Sequence, residues 1–235
     1  MMRSFFVTGT DTGVGKTTVT CALCAYSSMN RGLDVGVMKP FESGLVLSGK
    51  DGLPRDAILL KEASGSKDDL SLINPYTMET PAAPEAAAEV EHVQIDLENL
   101  DRLYQRLTAA HDVLFVEGAG GVLVPIKKGF FFSDLMKRWK ASALVVSRLG
   151  LGTINHTLLT CRFLRSEHIP VAGVIINDTE GKKDVATKTN PEMLARYLDV
   201  PLLGVYPHRK QGGAMNREAL AQVAEKHLDM RALIG

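Results

Sequence analysis

The feature that most constrains the fold is the segment of residues 9–17, GTDTGVGKT. It follows a short apolar run at residues 5–8 and precedes an amphipathic stretch from Thr17 to about Arg31, so we predict a strand, a tight loop and a helix. Glycines let the backbone approach a ligand closely, and N–H groups at a helix start point toward an anion. The ending Gly15-Lys16-Thr17 in this setting indicates a phosphate-binding P-loop.

This loop departs slightly from the strict P-loop pattern, which would place a glycine where the chain has Thr10. The open alternative is a glycine-rich turn before an ordinary helix. In a P-loop, Lys16 would lie near the β- and γ-phosphates of ATP, and the Thr17 hydroxyl would face Mg²⁺. The residues predicted to bind the phosphates are Gly13, Val14, Gly15, Lys16, Thr17 and Thr18.

Apolar runs alternate with helical patterns along the rest of the chain. We predict further strands at residues 35–38, 113–116, 143–146, 171–176 and 202–205, and helices at about 98–110, 155–166, 192–198 and 217–226. Strands that are apolar without alternation are typical of a parallel sheet covered on both faces. The predicted fold is therefore α/β, a doubly wound, mostly parallel sheet of the P-loop NTPase type, with one domain over residues 1–235.

Two segments, residues 43–55 and 177–190, look irregular. Each follows a predicted strand, and sites in doubly wound folds lie beyond the carboxyl ends of strands. Both segments could border the site, or they could be solvated surface loops.

The charge balance bounds the possible partners. Lys and Arg number 27, as do Asp and Glu, so the net charge of zero argues against nucleic acid as the main partner. The three cysteines argue for a reducing compartment. Cys21 and Cys24 could form a redox pair or half a zinc site, but we favour two small residues on one helix face. We find no signal-peptide core and no span-length apolar run, so we expect a cytoplasmic protein without a membrane partner.

Two carboxylates are candidate magnesium ligands or helix-capping groups. Glu117 ends an apolar run and precedes the glycine-rich residues 118–121. A carboxylate at a strand end suits a hard cation, although the segment could instead begin a helix with an incidental glutamate. Asp56 precedes the apolar residues 57–60, and taken alone it indicates a helix N-cap.

Taken together, these segments resemble the dethiobiotin synthases. The matching stretches follow in order over nearly the whole chain, at residues 7–12, 14–17, 39–40, 43–44, 56–57, 116–121, 152, 154–156, 177, 189–192, 203–204 and 207. The resemblance implies that ATP, CO₂ and 7,8-diaminononanoate give dethiobiotin, ADP and phosphate. It implies a carbamate and then a carbamic–phosphoric anhydride, which needs positioning and charge neutralisation more than a protein nucleophile.

The resemblance also implies roles for particular residues. Mg²⁺ would be bound by Thr17, Asp56 and Glu117, and the catalytic residues would be Lys16, Lys39 and Ser43. Further ATP contacts would come from Gly118, Ala119, Gly120, Asn177, Asp178, Tyr206, Pro207 and His208. Of these, Asn177 and residues 206–208 would face the adenine. In a homodimer, the diamine would contact Thr12, Lys39, Ser43, Gly120, Gly121, Val122 and Asn155, partly across the interface.

A few positions depart from the family pattern. Gly13 replaces a glutamate of some members, and residues 148–150 lack a lysine found near there in others, which leaves the contacts to the diamine tail open. For His156 we expect a structural role at a helix start.

Two other functions are compatible with a P-loop chain of this kind. An amide-forming ligase of the same fold usually carries a glutaminase domain, for which 235 residues leave no room. A non-enzymatic ATP switch that binds a partner protein would leave Lys39 and Ser43 without a role. Partition and cell-division switches carry an additional lysine where this chain has Asp11.

Overall fold

A computed structural model describes residues 3–45, 52–209 and 216–235 of the chain. In chain order the strands are β1 (Arg3–Gly9), β2 (Val35–Met38), β3 (Phe41–Ser43), β4 (Tyr76–Met78), β5 (Val113–Gly121), β6 (Pro125–Lys127), β7 (Phe130–Phe131), β8 (Ser142–Arg148), β9 (Val171–Asn177) and β10 (Leu202–Tyr206). The helices are α1 (Lys16–Met29), α2 (Arg55–Ser64), α3 (Leu70–Ile73), α4 (Pro84–Val90), α5 (Leu97–Ala110), α6 (Phe132–Trp139), α7 (Thr153–Ser166), α8 (Val185–Tyr197), α9 (Arg217–His227) and α10 (Met230–Ile234).

Six strands form one parallel sheet in the order β10-β9-β8-β1-β5-β2. Successive side chains of each strand point to opposite faces of the sheet, so a continuously apolar strand makes both faces apolar. Helices cover both faces. Phe5 and Val7 pack into the core beneath α1, α2 and α9, whereas Phe6 between them packs into the core beneath α5 and α6. The predicted doubly wound, parallel α/β fold is confirmed.

The strand order determines where a ligand can bind. β1 lies between β5 and β8, so the loop of residues 10–15 leaves the middle of the sheet. The carboxyl ends of β2 and β5 lie at the same edge, since both strands run parallel to β1. In such a sheet the crevice beyond the carboxyl ends is the expected binding position.

The predicted elements differ from the structure mainly in short or polar segments. All six predicted strands are present: β2 has the predicted bounds, and the other five are longer by one to five residues. The prediction of an irregular segment over residues 177–190 is wrong for its last part, because α8 begins at Val185 with Asp184 as its N-cap. Only Asn190 and Leu194 of α8 are buried, so the helix carries a weak apolar pattern. Of the other irregular segment, residues 46–51 lie outside the described residues.

Two short pairs of strands accompany the main sheet, β3 with β4 in parallel and β6 with β7 antiparallel. β3 carries Ser43 toward the crevice side, and β4 supports it.

In the described parts of the chain, no helix is long and apolar enough to cross a membrane.

Candidate active site

A cavity of about 1050 Å³ opens at the carboxyl ends of β1, β2 and β5. Twelve of the residues predicted from the sequence line it, although they come from five separate segments of the chain. They are Thr12, Gly13, Gly15, Lys16, Thr17, Thr18, Lys39, Ser43, Asp56, Glu117, Ala119 and Gly120. The fold therefore brings the P-loop, the end of β2 and the acidic positions into one pocket.

The P-loop has a backbone that favours glycine at two positions. Gly13 and Gly15 have φ of +74° and +83°, in the left-handed region. A Cβ atom at Gly15 would also clash with the amide of Asn177. Gly15 is the N-cap of α1, and because glycine has no side chain to cap the helix, the first-turn N–H groups are left to bind an anion.

Asn177, at the end of β9, fastens this loop to the sheet. Its Nδ2 donates to the carbonyl oxygen of Val14 at 2.8 Å, and both side chains are buried. The nucleotide contact predicted for Asn177 stays a prediction. The observed bond gives this residue a role in holding the P-loop, across 163 positions of sequence.

Four residues meet at what we call the charged centre: Thr17, Lys39, Asp56 and Glu117. Lys39 Nζ donates to Glu117 Oε1 at 2.6 Å and lies 3.1 Å from Asp56 Oδ2. Thr17 Oγ1 donates to the same Glu117 oxygen at 2.8 Å. The side chain of Glu117 is fully buried and that of Lys39 is 4% exposed. Glu117 lies within β5, so the alternative of a helix-start glutamate does not hold.

The two lysines of the site have opposite pKa shifts. The pKa of Lys16 is lowered to about 8. Burial is the largest cause and the positive charge of Lys39 is the second, whereas the carboxylate of Glu117 acts in the opposite direction. Burial also acts to lower the pKa of Lys39, but the carboxylates of Glu117 and Asp56 outweigh it and hold that pKa above its ordinary value. Lys39 is thus a firmly protonated ammonium, and Lys16 is the lysine whose charge responds to its surroundings.

The charged centre fits a magnesium ion. Glu117 Oε2 is buried and has no hydrogen-bond partner among the described residues, a costly arrangement that a cation or its water would relieve. Lys39 Nζ already occupies a cation position between two carboxylates. The described residues contain no group of three or more His, Cys, Asp or Glu side chains arranged for a metal. Two carboxylates and a hydroxyl suit Mg²⁺, which keeps positions for water and phosphate oxygens.

Glu42 and Asn74 belong to the site but were not predicted. The two carboxylate oxygens of Glu42 accept from the N–H groups of Asp56 and Ala57 at 2.9 and 3.0 Å. The N-cap residue of α2 is Pro54, so the N-cap reading of Asp56 taken alone is wrong, and Glu42 supplies the cap. Asn74 Nδ2 donates to the carbonyl oxygen of Lys39 at 2.6 Å. These partners lie 14 to 35 residues apart, and no local pattern signals them.

The remaining predicted residues do not line the cavity. Val14, Val122 and Tyr206 are buried in the core, with the Tyr206 side chain fully enclosed, and burial raises the pKa of its hydroxyl. Asn155 is exposed in the first turn of α7. The ligand contacts predicted for these residues stay predictions, as do those of Gly118, Gly121, Asp178, Pro207 and His208.

Two other sequence predictions concern helices. Cys21 and Cys24 are free and buried in α1, and burial raises the pKa of both thiols, so they form part of the core. Both match the expectation of small residues on a helix face. His156 lies in the first turn of α7, where its N–H donates to the Gly152 carbonyl.

Known proteins resemble this chain in sequence over its whole length. A family model described as an AAA domain matches residues 3–216. The ATP-dependent dethiobiotin synthetase BioD of Thermodesulfovibrio yellowstonii is 41% identical, covering 100% of this chain and 99% of that protein. The proteins of the same name from Bacillus velezensis and Anaeromyxobacter dehalogenans are 37% and 43% identical, covering 99% and 88% of this chain and 97% and 90% of those proteins.

Solved structures resemble the chain in fold. The cell division ATPase MinD of Pyrococcus furiosus matches with a TM-score of 0.57 and 20% identity, covering 96% of this chain and 98% of that one. A ParA family ATPase from Chlorobium tepidum matches with a TM-score of 0.55 and 16% identity, covering 99% and 96%. At these identities the likeness shows the fold alone, and it agrees with the doubly wound α/β architecture.

Proposed function

The chain belongs to the ATP-dependent dethiobiotin synthetase family, and from this membership we propose that it converts 7,8-diaminononanoate, CO₂ and ATP into dethiobiotin, ADP and phosphate. The observation that carries the proposal is the meeting of Thr17, Lys39, Asp56 and Glu117 beside the P-loop, in one cavity. The carbamate and the γ-phosphate of ATP are both anionic, so their reaction needs charged groups that offset the repulsion between them.

The P-loop supplies the nucleotide site of this proposal. The free N–H groups of the first turn of α1 and the positive end of its dipole attract the phosphates. Lys16 begins that helix and lines the cavity, so its ammonium can accompany the transferring phosphoryl group. Because its pKa is lowered to about 8 before any ligand is present, phosphate oxygens would strengthen its protonation.

Thr17, Asp56 and Glu117 would hold Mg²⁺, and the unpartnered Glu117 Oε2 supports this assignment. When bound, the ion neutralises negative charge on the β- and γ-phosphates. Asp56 is 38% exposed at its side chain, so it faces the solvent-accessible part of the cavity, whereas Glu117 lies beneath it.

The chemistry begins with a carbamate formed from one substrate amine and CO₂. A carbamate oxygen attacks the γ-phosphorus of ATP, ADP leaves, and a carbamic–phosphoric anhydride results. The second amine then attacks the carbonyl carbon, closes the ureido ring and expels phosphate. Lys16 and Lys39 would offset the repulsion between carbamate and phosphate, and this stabilisation grows where charge shifts in the transition state.

The substrate chain would lie against the wall formed by β3 and the segment before α4. Ser43 Oγ donates to the carbonyl oxygen of Ala82 at 2.8 Å, which directs its oxygen lone pairs away from that wall. Residues 81–84 and Val124 supply apolar surface at the same cavity. Apolar lining with few polar groups suits a diamine on a methylene chain.

We further propose a homodimer that completes the substrate site. Leu151 lies just before α7 and is 85% exposed, and Leu159 lies within α7 and is 59% exposed. The exposed Asn155 lies between them in the sequence, four residues before Leu159 on the helix. Leu123, beside Val122, is 55% exposed as well. Exposed apolar side chains of this size favour burial against a second copy, and Asn155 would then reach the partner's substrate.

The test is ADP release measured with and without diaminononanoate and bicarbonate, with the product identified by mass spectrometry. We expect turnover that requires both, and a product heavier than the diamine by CO₂ minus water. Turnover independent of the diamine and stimulated by DNA or membrane vesicles would instead support an ATP switch. A requirement for glutamine would support an amide-forming ligase.

A further inference from the structure

Glu42 is a buried carboxylate with two ordered partners and no role in the steps above. It lies in β3, is 7% exposed, and accepts from the N–H groups of Asp56 and Ala57. Burial raises its pKa, against the lowering effect of these two hydrogen bonds. A buried carboxylate is costly unless its oxygens are paired, so its position beside the site requires an explanation.

The first explanation is local to α2. This helix begins with Pro54 as its N-cap, a residue with no side-chain oxygen to accept from the first-turn amides. Asp56 and Ala57 are the second and third residues of the helix. Glu42 therefore performs the role of a capping carboxylate from a different strand, and its charge also suits the positive end of the helix.

The second explanation concerns the charged centre. Asp56, whose N–H is held by Glu42, is also the residue whose carboxylate lies 3.1 Å from Lys39 Nζ. Two hydrogen bonds hold the main chain of Lys39. Its N–H donates to the Ile73 carbonyl, and its carbonyl accepts from the side-chain amide of Asn74. The position of Asp56 relative to Lys39 and Glu117 thus depends on where α2 begins, and Glu42 ties that point to β3.

We propose that Glu42 is a positioning residue, which fixes Asp56 for Mg²⁺ without touching the ion. The inference rests on the magnesium role proposed for Asp56. Groups that orient metal ligands affect metal affinity although they do not coordinate. The competing roles are a plain helix cap with no effect on the site, and a direct contact with a substrate amine, since Glu42 lines the cavity.

Glu42→Gln and Glu42→Ala test the proposal. Glutamine keeps one carbonyl oxygen, but its amide group faces a second N–H donor, so one of the two hydrogen bonds is lost. We expect the Mg²⁺ concentration for half-maximal ADP release to rise about tenfold, the low end for groups that support metal ligands. By calorimetry, ADP binding in EDTA should be unchanged, whereas the gain in ADP affinity on adding Mg²⁺ should shrink by a similar factor.

Asp96→Ala is the matched control. Asp96 Oδ1 also accepts from two first-turn N–H groups, those of Glu98 and Asn99 in α5, and it does not line the cavity. This variant should lower the melting temperature as Glu42→Ala does and leave the Mg²⁺ titration unchanged. If Glu42→Ala is not folded, Glu42→Gln alone decides the outcome against the same control.

Two results would overturn the inference. An unchanged Mg²⁺ titration with a lowered melting temperature would make Glu42 a cap only. A raised KM for the diamine with an unchanged Mg²⁺ titration would make it a substrate contact. If the unaltered protein showed no diamine-dependent turnover, the proposed function would fail, while Mg²⁺-dependent ADP binding would still decide the role of Glu42.

Discussion

Lys39→Gln is the perturbation with the clearest consequences, because Lys39 is the cation of the charged centre. Its ammonium lies 2.6 Å from Glu117 Oε1, and the Glu117 side chain is fully buried. Removing one member of a buried ion pair leaves a lone buried charge and commonly costs about 3–5 kcal/mol. Asp56 adds little to this loss because its side chain is 38% exposed and water can solvate it. We therefore expect the unliganded variant to lose about 3 kcal/mol of its free energy of unfolding.

The same substitution should affect turnover more than ATP binding. Lys39 lies between two carboxylates rather than in the P-loop, so most phosphate contacts remain. Losing one preorganised charge at the reacting groups commonly costs about 2–4 kcal/mol of barrier, and we expect turnover to fall about 10²-fold or more. Mg²⁺ should stabilise the variant more than the unaltered protein, because the ion would take over part of the neutralisation of Glu117.

Three measurements on one preparation test this reasoning: urea unfolding, ATP calorimetry and ADP release. The double variant Lys39→Gln with Glu117→Gln is the control, since it removes both charges. It should recover most of the lost stability without recovering turnover. If ATP affinity falls together with turnover, Lys39 is a nucleotide ligand and the division of roles is wrong. If neither falls, Lys39 has no part in the reaction.

Four further predictions concern the same site. Lys16→Ala should abolish turnover with the fold retained, and near-normal activity would contradict the P-loop assignment. ADP binding without Mg²⁺ should weaken as pH rises through about 8, where unliganded Lys16 loses its proton, with proton uptake on binding visible in buffers of different ionisation enthalpy. Glu117→Gln should raise the Mg²⁺ requirement, and an unchanged titration would make Glu117 a bystander. Light scattering should show a dimer, and mixed inactive Lys16→Ala and Asn155→Ala subunits should regain activity once subunit exchange is verified.

The sequence by itself determined the elements whose signals are local. A P-loop requires a strand, glycines and a helix start within nine residues, so GTDTGVGKT indicated its own structure. The strands of the central sheet were predictable because buried parallel strands are continuously apolar. Lys39 and Glu117 could be predicted as site residues because each comes at the end of such an apolar run and the family pattern matches there. The start of α8 was missed because its residues 185–190 are mostly polar and carry little periodicity.

Only the tertiary structure decided which groups hold the site together. Glu42 caps α2 from 14 residues away, Asn177 fastens Val14 across 163 residues, and Asn74 holds the backbone of Lys39 across 35. A side chain that donates to or accepts from a distant main-chain group leaves no spacing rule in the sequence, because the geometry arises only after the sheet has formed. The same holds for the meeting of Lys39, Asp56 and Glu117, whose separations of 17 to 78 residues become contacts of 2.6 to 3.1 Å through the order of β1, β5 and β2.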